Sequence, residues 1–327
     1  MIRVGLCGYG WWGQHVASRI EAHERFDLAG VFAPELTGPS QDGRSVYESF
    51  DAMLADASVQ AVILTSPNDL HEAQSVAAAR AGKHVFCEKP LSLTGDSARR
   101  IVDAVGQAGR VLGIGHERRF EPAMQRLAAM VQGGDLGTIM HVEAAFSHDK
   151  LAELPKDNWR TQPDLAPAAG MTGMGIHLTD FMIWMFGPVD SVQAVTTDRS
   201  LGWATGDVVT AQLKFRVGMT ASLSAILNTP HFIRYHVFGT DQWAEVRNDT
   251  HPDTPGGQAH LTTSRTGSPL QTNAFPWTDT VIDNLGAFAD AIDGRAPYPF
   301  TADQMVHNIE VLEAIAGSAW SGETVRL

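Results

Sequence analysis

The sequence predicts an α/β protein: a parallel-sheet domain at the amino end, followed by an α+β domain built on a large, mostly antiparallel open sheet. Three observations predict it. Over the first third, short apolar runs alternate with stretches of helical periodicity, an order that requires crossover connections and a parallel sheet. The first apolar run ends in Gly8, Gly10 and Gly13, at G-x-G-x-x-G spacing, and a helical pattern with Val16, Ala17 and Ile20 on one face follows at once. From Gly137 onward, strand-like runs separated by short turns replace the strand–helix alternation, as antiparallel sheets do.

The elements follow in order. Residues 2–7 and 27–32 read as strands. Residues 34–45 are rich in Pro, Gly and Ser and read as a loop. Residues 47–55 look helical. Residues 60–65 are continuously apolar, as a strand covered on both faces is. A helix over 70–81, a strand over 83–87, a helix over 97–108 and a strand over 110–114 complete a Rossmann-type domain, 1–118. The second domain, 119–327, begins with a helix over 122–131 and a strand over 137–146, then a breaker-rich stretch, 147–170, with three prolines. A helix over 175–186 precedes strands at 189–196, 207–215, 219–226 and 233–239, and helices near 281–292 and 302–319 close the chain. The ligand is expected in the cleft between the two domains.

Composition narrows the function classes. The 327 residues are 44% apolar and 19% charged, a globular balance. Against 24 Lys and Arg stand 37 Asp and Glu, and the net charge of −13 argues against nucleic acid or an anionic membrane as partner. Cys7 and Cys87 lie in apolar runs and read as small buried hydrophobes. No run approaches the length of a membrane span and Met1 leads straight into the first strand, so a cytoplasmic protein is expected. No histidine spacing points to a metal: His231 and His236, five apart on one strand, face opposite sides. The aromatic and methionine residues of 181–186 read as helix core.

Each glycine of the opening turn has a physical task. Gly8 permits the turn off the strand, Gly10 lets a dinucleotide's diphosphate approach the backbone, and Gly13 lets the helix pack close to the strand. Free N–H groups and the dipole at the helix start favour a phosphate there.

Further motifs then appear in order: Leu-Thr-Ser-Pro-Asn-Asp-Leu-His at 64–71, Glu-Lys-Pro at 88–90, Gly-Ile-Gly-His-Glu-Arg-Arg-Phe at 113–120, Asn-Trp-Arg at 158–160 and Gly-Ile-His-Leu-Thr-Asp at 175–180. With the glycine turn, this set resembles the Gfo/Idh/MocA family, named for glucose–fructose oxidoreductase and inositol dehydrogenase. The resemblance implies hydride transfer between NAD or NADP and a carbon of a sugar, polyol or related carbohydrate. It implies that Gly8, Gly10, Trp11, Trp12 and Gly13 hold the diphosphate, and that Thr65, Ser66, Pro67, Asn68 and His71 line the nicotinamide side. It places Glu88 and Lys89 after the fourth strand, with Lys89 as the proton-transfer residue aimed by an unusual, often cis, bond to Pro90. Trp159 and Arg160 approach nicotinamide or substrate, and His177 and Asp180 point into the cleft. Homodimers or homotetramers are implied as well.

The residues keep their plainer readings beside these. Hydride leaves an alcohol carbon only as the hydroxyl proton departs, and a lysine can take that proton where burial and a nearby cation lower its pKa. By position alone Lys89 is a surface lysine at a strand end, and His177 a hydrogen-bonded core histidine. Asp180 binds a substrate hydroxyl or fixes a neighbouring side chain. Arg118 and Arg119 contact cofactor or substrate, or form ion pairs at the domain junction.

Three features depart from the family's pattern. The aspartate usual four residues before the histidine is Gly173, so three readings are open: Asp180 or a residue of 147–150 compensates, Lys89 and His177 suffice, or the reaction differs. The acid that binds the adenosine ribose is replaced by Ala33 and Pro34, with Glu35 one residue late, and the Ser-Arg pair often seen with NADP is absent too. NAD is favoured over NADP because no basic cluster is evident, Arg44 being the one cation in that loop. The loop itself is short, which implies an open adenosine end. Two other classes of function are compatible with these residues: a hydrolase in which bound NAD oxidises a sugar transiently, and a dinucleotide-binding regulator without catalysis.

Overall fold

The computed structural model describes all 327 residues, which form two compact units: 1–117 with 280–309, and 118–279 with 310–327. In chain order the first elements are β1 (Ile2–Cys7), α1 (Trp11–Ala22), β2 (Phe26–Phe32), the small hairpin β3 (Ser40–Gln41) and β4 (Arg44–Ser45), and α2 (Phe50–Ala55). Then come β5 (Ala61–Leu64), α3 (His71–Arg80), β6 (His84–Cys87), α4 (Gly95–Gln107) and β7 (Leu112–Ile114). The chain continues with α5 (Pro122–Gln132), β8 (Ile139–Ser147) and α6 (Gly175–Phe186). Seven strands follow: β9 (Val189–Thr197), β10 (Val208–Phe215), β11 (Thr220–Ile226), β12 (Phe232–Gly239), β13 (Gln242–Asn248), β14 (Gln258–Arg265) and β15 (Gln271–Pro276). The helices α7 (Thr280–Ile292) and α8 (Ala302–Ser321) and the short β16 (Val325–Arg326) close it.

In the first unit a parallel sheet runs β2-β1-β5-β6-β7. All four residues of β5 are buried, as its unbroken apolar run requires. Strand order reverses direction beside β1, so the carboxyl ends of β1 and β5 flank a topological switch point, where open α/β sheets bind ligands. Residues 280–309, placed in the second domain from sequence, group with this unit. The cause is burial: Leu285, Phe288 and Ala289 of α7 enter the core, and the Phe288 ring stands edge-on to Phe86 at 5.5 Å. Burying one such phenylalanine is worth about 1.5–3 kcal/mol. Gly113 makes the room, since a Cβ there would lie 2.6 Å from Phe86 and 2.9 Å from Phe288. Asn284 Nδ2 donates to the Ile114 carbonyl at 2.9 Å, and the Tyr298 hydroxyl donates to Asn284 Oδ1 at 2.6 Å.

The second unit is built on a nine-stranded sheet in the order β15-β14-β13-β12-β8-β11-β10-β9-β16, antiparallel except for β8 against β11. Strand residues alternate between a buried face and a more open one: Val142, Ala144 and Phe146 of β8 turn inward, as do Ile233, Tyr235 and Val237 of β12. Helix α6 packs on β8 and β11 and is buried at every position but Trp184, which explains its apolar sequence.

Where the chain departs from expectation, local chemistry decides. The helix expected over 47–55 begins only at Phe50: Ser49 caps it by accepting from the Ala52 N–H at 3.0 Å, and the Tyr47 N–H pairs with Val31 instead. The 34–45 loop contains the β3–β4 hairpin. Strands β13 to β16 were not foreseen. Only Ala244 and Val246 of β13 and Ala259 and Leu261 of β14 are buried, and β15 buries nothing, so its strand state comes from main-chain pairing with β14 rather than from an apolar pattern. Both cysteines are buried thiols; burial pushes Cys7 up to about 12 and Cys87 higher still. No helix is long and apolar enough to cross a membrane.

Candidate active site

The opening turn is shaped as its glycines require. Gly8 adopts φ +95°, and a Cβ on it would lie 2.5 Å from the Ser66 nitrogen. A Cβ on Gly13 would stand 2.2 Å from the Gly8 carbonyl oxygen and 3.0 Å from Thr65 Oγ1, so helix and turn meet backbone to backbone. Gly10 differs: a Cβ there would meet nothing within 4 Å. It is the N-cap of α1 and contributes no side-chain cap, which leaves N–H groups of the first turn for a ligand. Open space at Gly10, facing an uncapped helix start, fits a dinucleotide's diphosphate. Trp11 beside it is 56% exposed, and Trp12 stacks on His15 at 4.9 Å.

The second wall of the switch point follows β5. Thr65 Oγ1 donates to the Gly8 carbonyl at 2.6 Å and ties the two turns together. Ser66 Oγ donates to Gln74 Oε1 at 2.5 Å, Pro67 precedes a 3₁₀ turn begun by Asn68, and Asn68 is buried. His71 is 1% exposed, with Nδ1 at 2.7 Å from the Pro90 carbonyl and Nε2 at 3.0 Å from that of Ser66. It therefore braces the 65–68 turn against the 88–90 turn, and burial holds its pKa below the usual imidazole value. Glu88 is buried because Gly115 leaves it room: a Cβ on Gly115 would lie 2.3 Å from Glu88 Oε2. The Lys89 N–H donates to the same oxygen at 3.2 Å, and the Lys89–Pro90 bond is cis, as the family resemblance implies. The structure thus brings Gly8–Gly13, Thr65–Asn68 and His71 together at one end of the sheet, with Glu88 and Lys89 at the carboxyl end of β6.

The adenosine side holds no carboxylate on Ala33 or Pro34; Ala33 is buried and its carbonyl accepts from Leu36 at 3.0 Å. Arg44 is engaged elsewhere. Its guanidinium donates to both Glu21 oxygens at 2.7 Å and to the Tyr9 hydroxyl at 2.5 Å.

In the second unit, Arg119 and Asp180 form a two-point ion pair, Nε to Oδ2 and Nη2 to Oδ1, both 2.7 Å, at 4% and 3% exposure. Asp180 therefore fixes a neighbouring side chain. Arg118 donates to Glu121 at 2.7 Å and lies 4.6 Å over the Phe146 ring. His177, in the first turn of α6, is 4% exposed and 6.1 Å from Phe146. It lines a cavity of about 20 Å³ shared with Arg118, Glu121, Phe146, Tyr235 and Asn248. The Arg160 guanidinium stacks on Trp159 at 4.1 Å with no carboxylate paired to it, and burial lowers its pKa to about 10. Gly173 is open, its nearest neighbour for a Cβ being Leu151 at 4.0 Å. Of the suggested substitutes for its missing acid, Asp180 is committed to Arg119, and Asp149, the one acid of 147–150, is exposed.

Sequence reading passed over a cluster on the inner face. His148 and His251 lie 5.1 Å apart, and His231 lies 6.0 Å from His251. The inward alternation of β8 and β12, continued two residues beyond 146 and before 233, reaches His148 and His231, which is the signal the sequence carries for them. Nothing local marked His251, which sits in the β13–β14 connection.

The family described as "Oxidoreductase family, NAD-binding Rossmann fold" matches residues 2–116, and the "GFO/IDH/MocA C-terminal domain" matches 124–245. The chain is similar to a D-xylose 1-dehydrogenase (NADP(+)) of Haloferax volcanii, 33% identical over 95% of this chain and 91% of that one. It is similar to a 1,5-anhydro-D-fructose reductase of Ensifer adhaerens, 28% identical over 87% of this chain and 84% of that one. Among solved structures it resembles the aldose-aldose oxidoreductase of Caulobacter crescentus, with TM-score 0.84, 26% identity, and 100% and 99% of the two chains covered. The chain belongs to the Gfo/Idh/MocA family of NAD(P)-dependent oxidoreductases.

Proposed function

We propose that this protein moves a hydride between nicotinamide and a hydroxyl-bearing carbon of a sugar, polyol or related carbohydrate, with Lys89 transferring the hydroxyl proton and His177 assisting. The observation that carries the reading is the open Gly10 position at the uncapped start of α1, in a chain of this family. Bound there, the cofactor supplies a carbon that accepts or gives the hydride. Gly8, Gly10 and Gly13, with the first-turn N–H groups of α1 and the flanking Trp11 and Trp12, hold the diphosphate. Thr65, Ser66, Pro67 and Asn68 form the nicotinamide wall, and His71 keeps that wall in register with Glu88, Lys89 and Pro90. Lys89 accepts the hydroxyl proton as the hydride leaves and returns it in the reverse direction. His177, Trp159 and Arg160 orient the substrate in the second unit, while Arg118 and Asp180 support that surface through their ion pairs.

NAD is the proposed cofactor, although some relatives are named for NADP(+). The turn after β2 carries no basic residue at 33–36, and Arg44 already satisfies Glu21 and Tyr9. Titration of NADH and NADPH by protein fluorescence tests this, with NADH expected to bind at least about tenfold tighter, a difference of about 1.4 kcal/mol. Tighter NADPH binding refutes the preference. A screen of polyols, inositols, aldoses and ketosugars tests the reaction: absorbance change at the nicotinamide is expected, whereas retained cofactor with bond cleavage and no net NADH would indicate a hydrolase.

A further inference from the structure

The histidine cluster of the second unit has no part in the proton chemistry proposed above, yet it adjoins His177. Phe146 is the shared wall: its ring lies 6.1 Å from His177, 5.7 Å from His148 and 5.6 Å from His251. We propose that His148, His231, His251 and Lys150 form a subsite for an oxyanion, so that the substrate is a sugar derivative carrying a carboxylate or phosphate rather than a neutral polyol. This rests on reading the second unit as the substrate-binding part of an oxidoreductase.

Three observations support it. First, the groups converge from distant parts of the sequence. His148 and Lys150 follow β8, His231 precedes β12, and His251 follows β13. The Lys150 N–H donates to His148 Nδ1 at 3.2 Å, so a neutral His148 ring carries its proton on Nε2 as a donor. Second, His231 is left unsatisfied. The Asn248 main chain lies in its surroundings, but neither ring nitrogen is in hydrogen-bonding geometry with any group, and both are buried. Orphaned nitrogens of this kind are costly and are normally answered by a partner. Third, His231 and His251 are neutral imidazoles beside a lysine ammonium. Burial first, then Arg118 and Lys150, depress both His231 and His251, the latter far below the usual imidazole value. Lys150 is itself depressed, by burial first and with Arg118 pushing the same way. Both cations have acidic neighbours. Asp253 lies 3.8 Å from Lys150 Nζ and 3.2 Å from His251 Nδ1, while Glu121 is taken by Arg118 and by Asn248 at 3.0 Å. An oxyanion beside Lys150, whose side chain is 42% exposed, accepts from the imidazole and ammonium donors.

The test uses the full-length protein with NAD bound, at fixed ionic strength. D-Gluconate, D-glucuronate and D-glucose 6-phosphate are each compared with neutral D-glucose by calorimetry and by NADH formation. At least one anion is expected to bind about tenfold or more tighter than glucose, and Lys150→Ala to erase most of that ratio while Lys150→Arg keeps it. Preference for the acids identifies a carboxylate, and preference for the ester identifies a phosphate. No anion preference, or a preference unchanged in Lys150→Ala with the variant folded by circular dichroism, overturns the subsite. Anion binding without hydride transfer leaves the subsite standing and counts against the oxidoreductase reading. Oxidation of neutral sugars with no anion preference does the opposite.

Discussion

The turn at 8–13 and the inner face around His177 hold their shapes with different material. In the turn the parts are main chain: Gly13 meets the Gly8 carbonyl, Thr65 is bound to it, and the ligand-facing groups are the N–H groups of a helix start. On the inner face the parts are side chains from 118–119, 146–150, 177–180, 231–235 and 248–251, locked by buried ion pairs and ring contacts. A site made of backbone is specified by short-range sequence, because glycine placement and strand–turn–helix order are local. A site made of side chains depends on which distant strands pair.

The largest effect should come from Lys89, which is a side chain presented by the main-chain region. Lys89→Met is expected to lower kcat/KM by about 10²–10⁴-fold while leaving dinucleotide affinity within about twofold. Steady-state kinetics with a fluorescence titration checks both. A loss of only a few-fold would remove Lys89 from the proton step and leave the turn a binding device alone.

Next is the side-chain lock. Asp180→Asn leaves the Arg119 guanidinium without its counter-charge at 4% exposure, which should cost about 3–5 kcal/mol and lower Tm by several degrees or more. Differential scanning calorimetry reads it. An unchanged Tm with lost activity would return Asp180 to direct substrate contact.

The glycines separate the two kinds of construction within one turn. Gly13→Ala must push backbone from backbone, so about 1–3 kcal/mol of stability should be lost, and dinucleotide binding with it. Gly10→Ala should fold normally, since its Cβ meets nothing, yet weaken NADH by about tenfold because the methyl occupies the diphosphate's approach. Equal loss of stability in both variants would mean that the turn is structural at every glycine.

These contrasts explain what was legible. β1, α1, β5 and the glycine turn were readable because period, glycine spacing and breakers act within a few residues. The family motifs carried Lys89 and His177 into view. β15 was not readable because it buries nothing, and α7's place in the first unit was not because its apolar stripe fits any core. His251 was invisible for the same reason: its partners His148 and His231 reach it only once β8, β12 and β13 lie side by side.

The smallest expected effect concerns Gly173, where the family usually has an acid. The residue lies outside the left-handed region and a Cβ there finds Leu151 only at 4.0 Å, so Gly173→Asp can be accommodated without rebuilding the turn. It also stands just before α6, where a carboxylate is favoured by about 0.3–1 kcal/mol. Tm should therefore stay level or rise slightly. If Lys89 and His177 carry the proton work unaided, restoring the carboxylate should change kcat/KM by less than about threefold, under 0.7 kcal/mol in barrier. A gain of tenfold or more would show that this chain runs its chemistry with a part missing, and that the inner face, unlike the glycine turn, has been altered away from the family's arrangement.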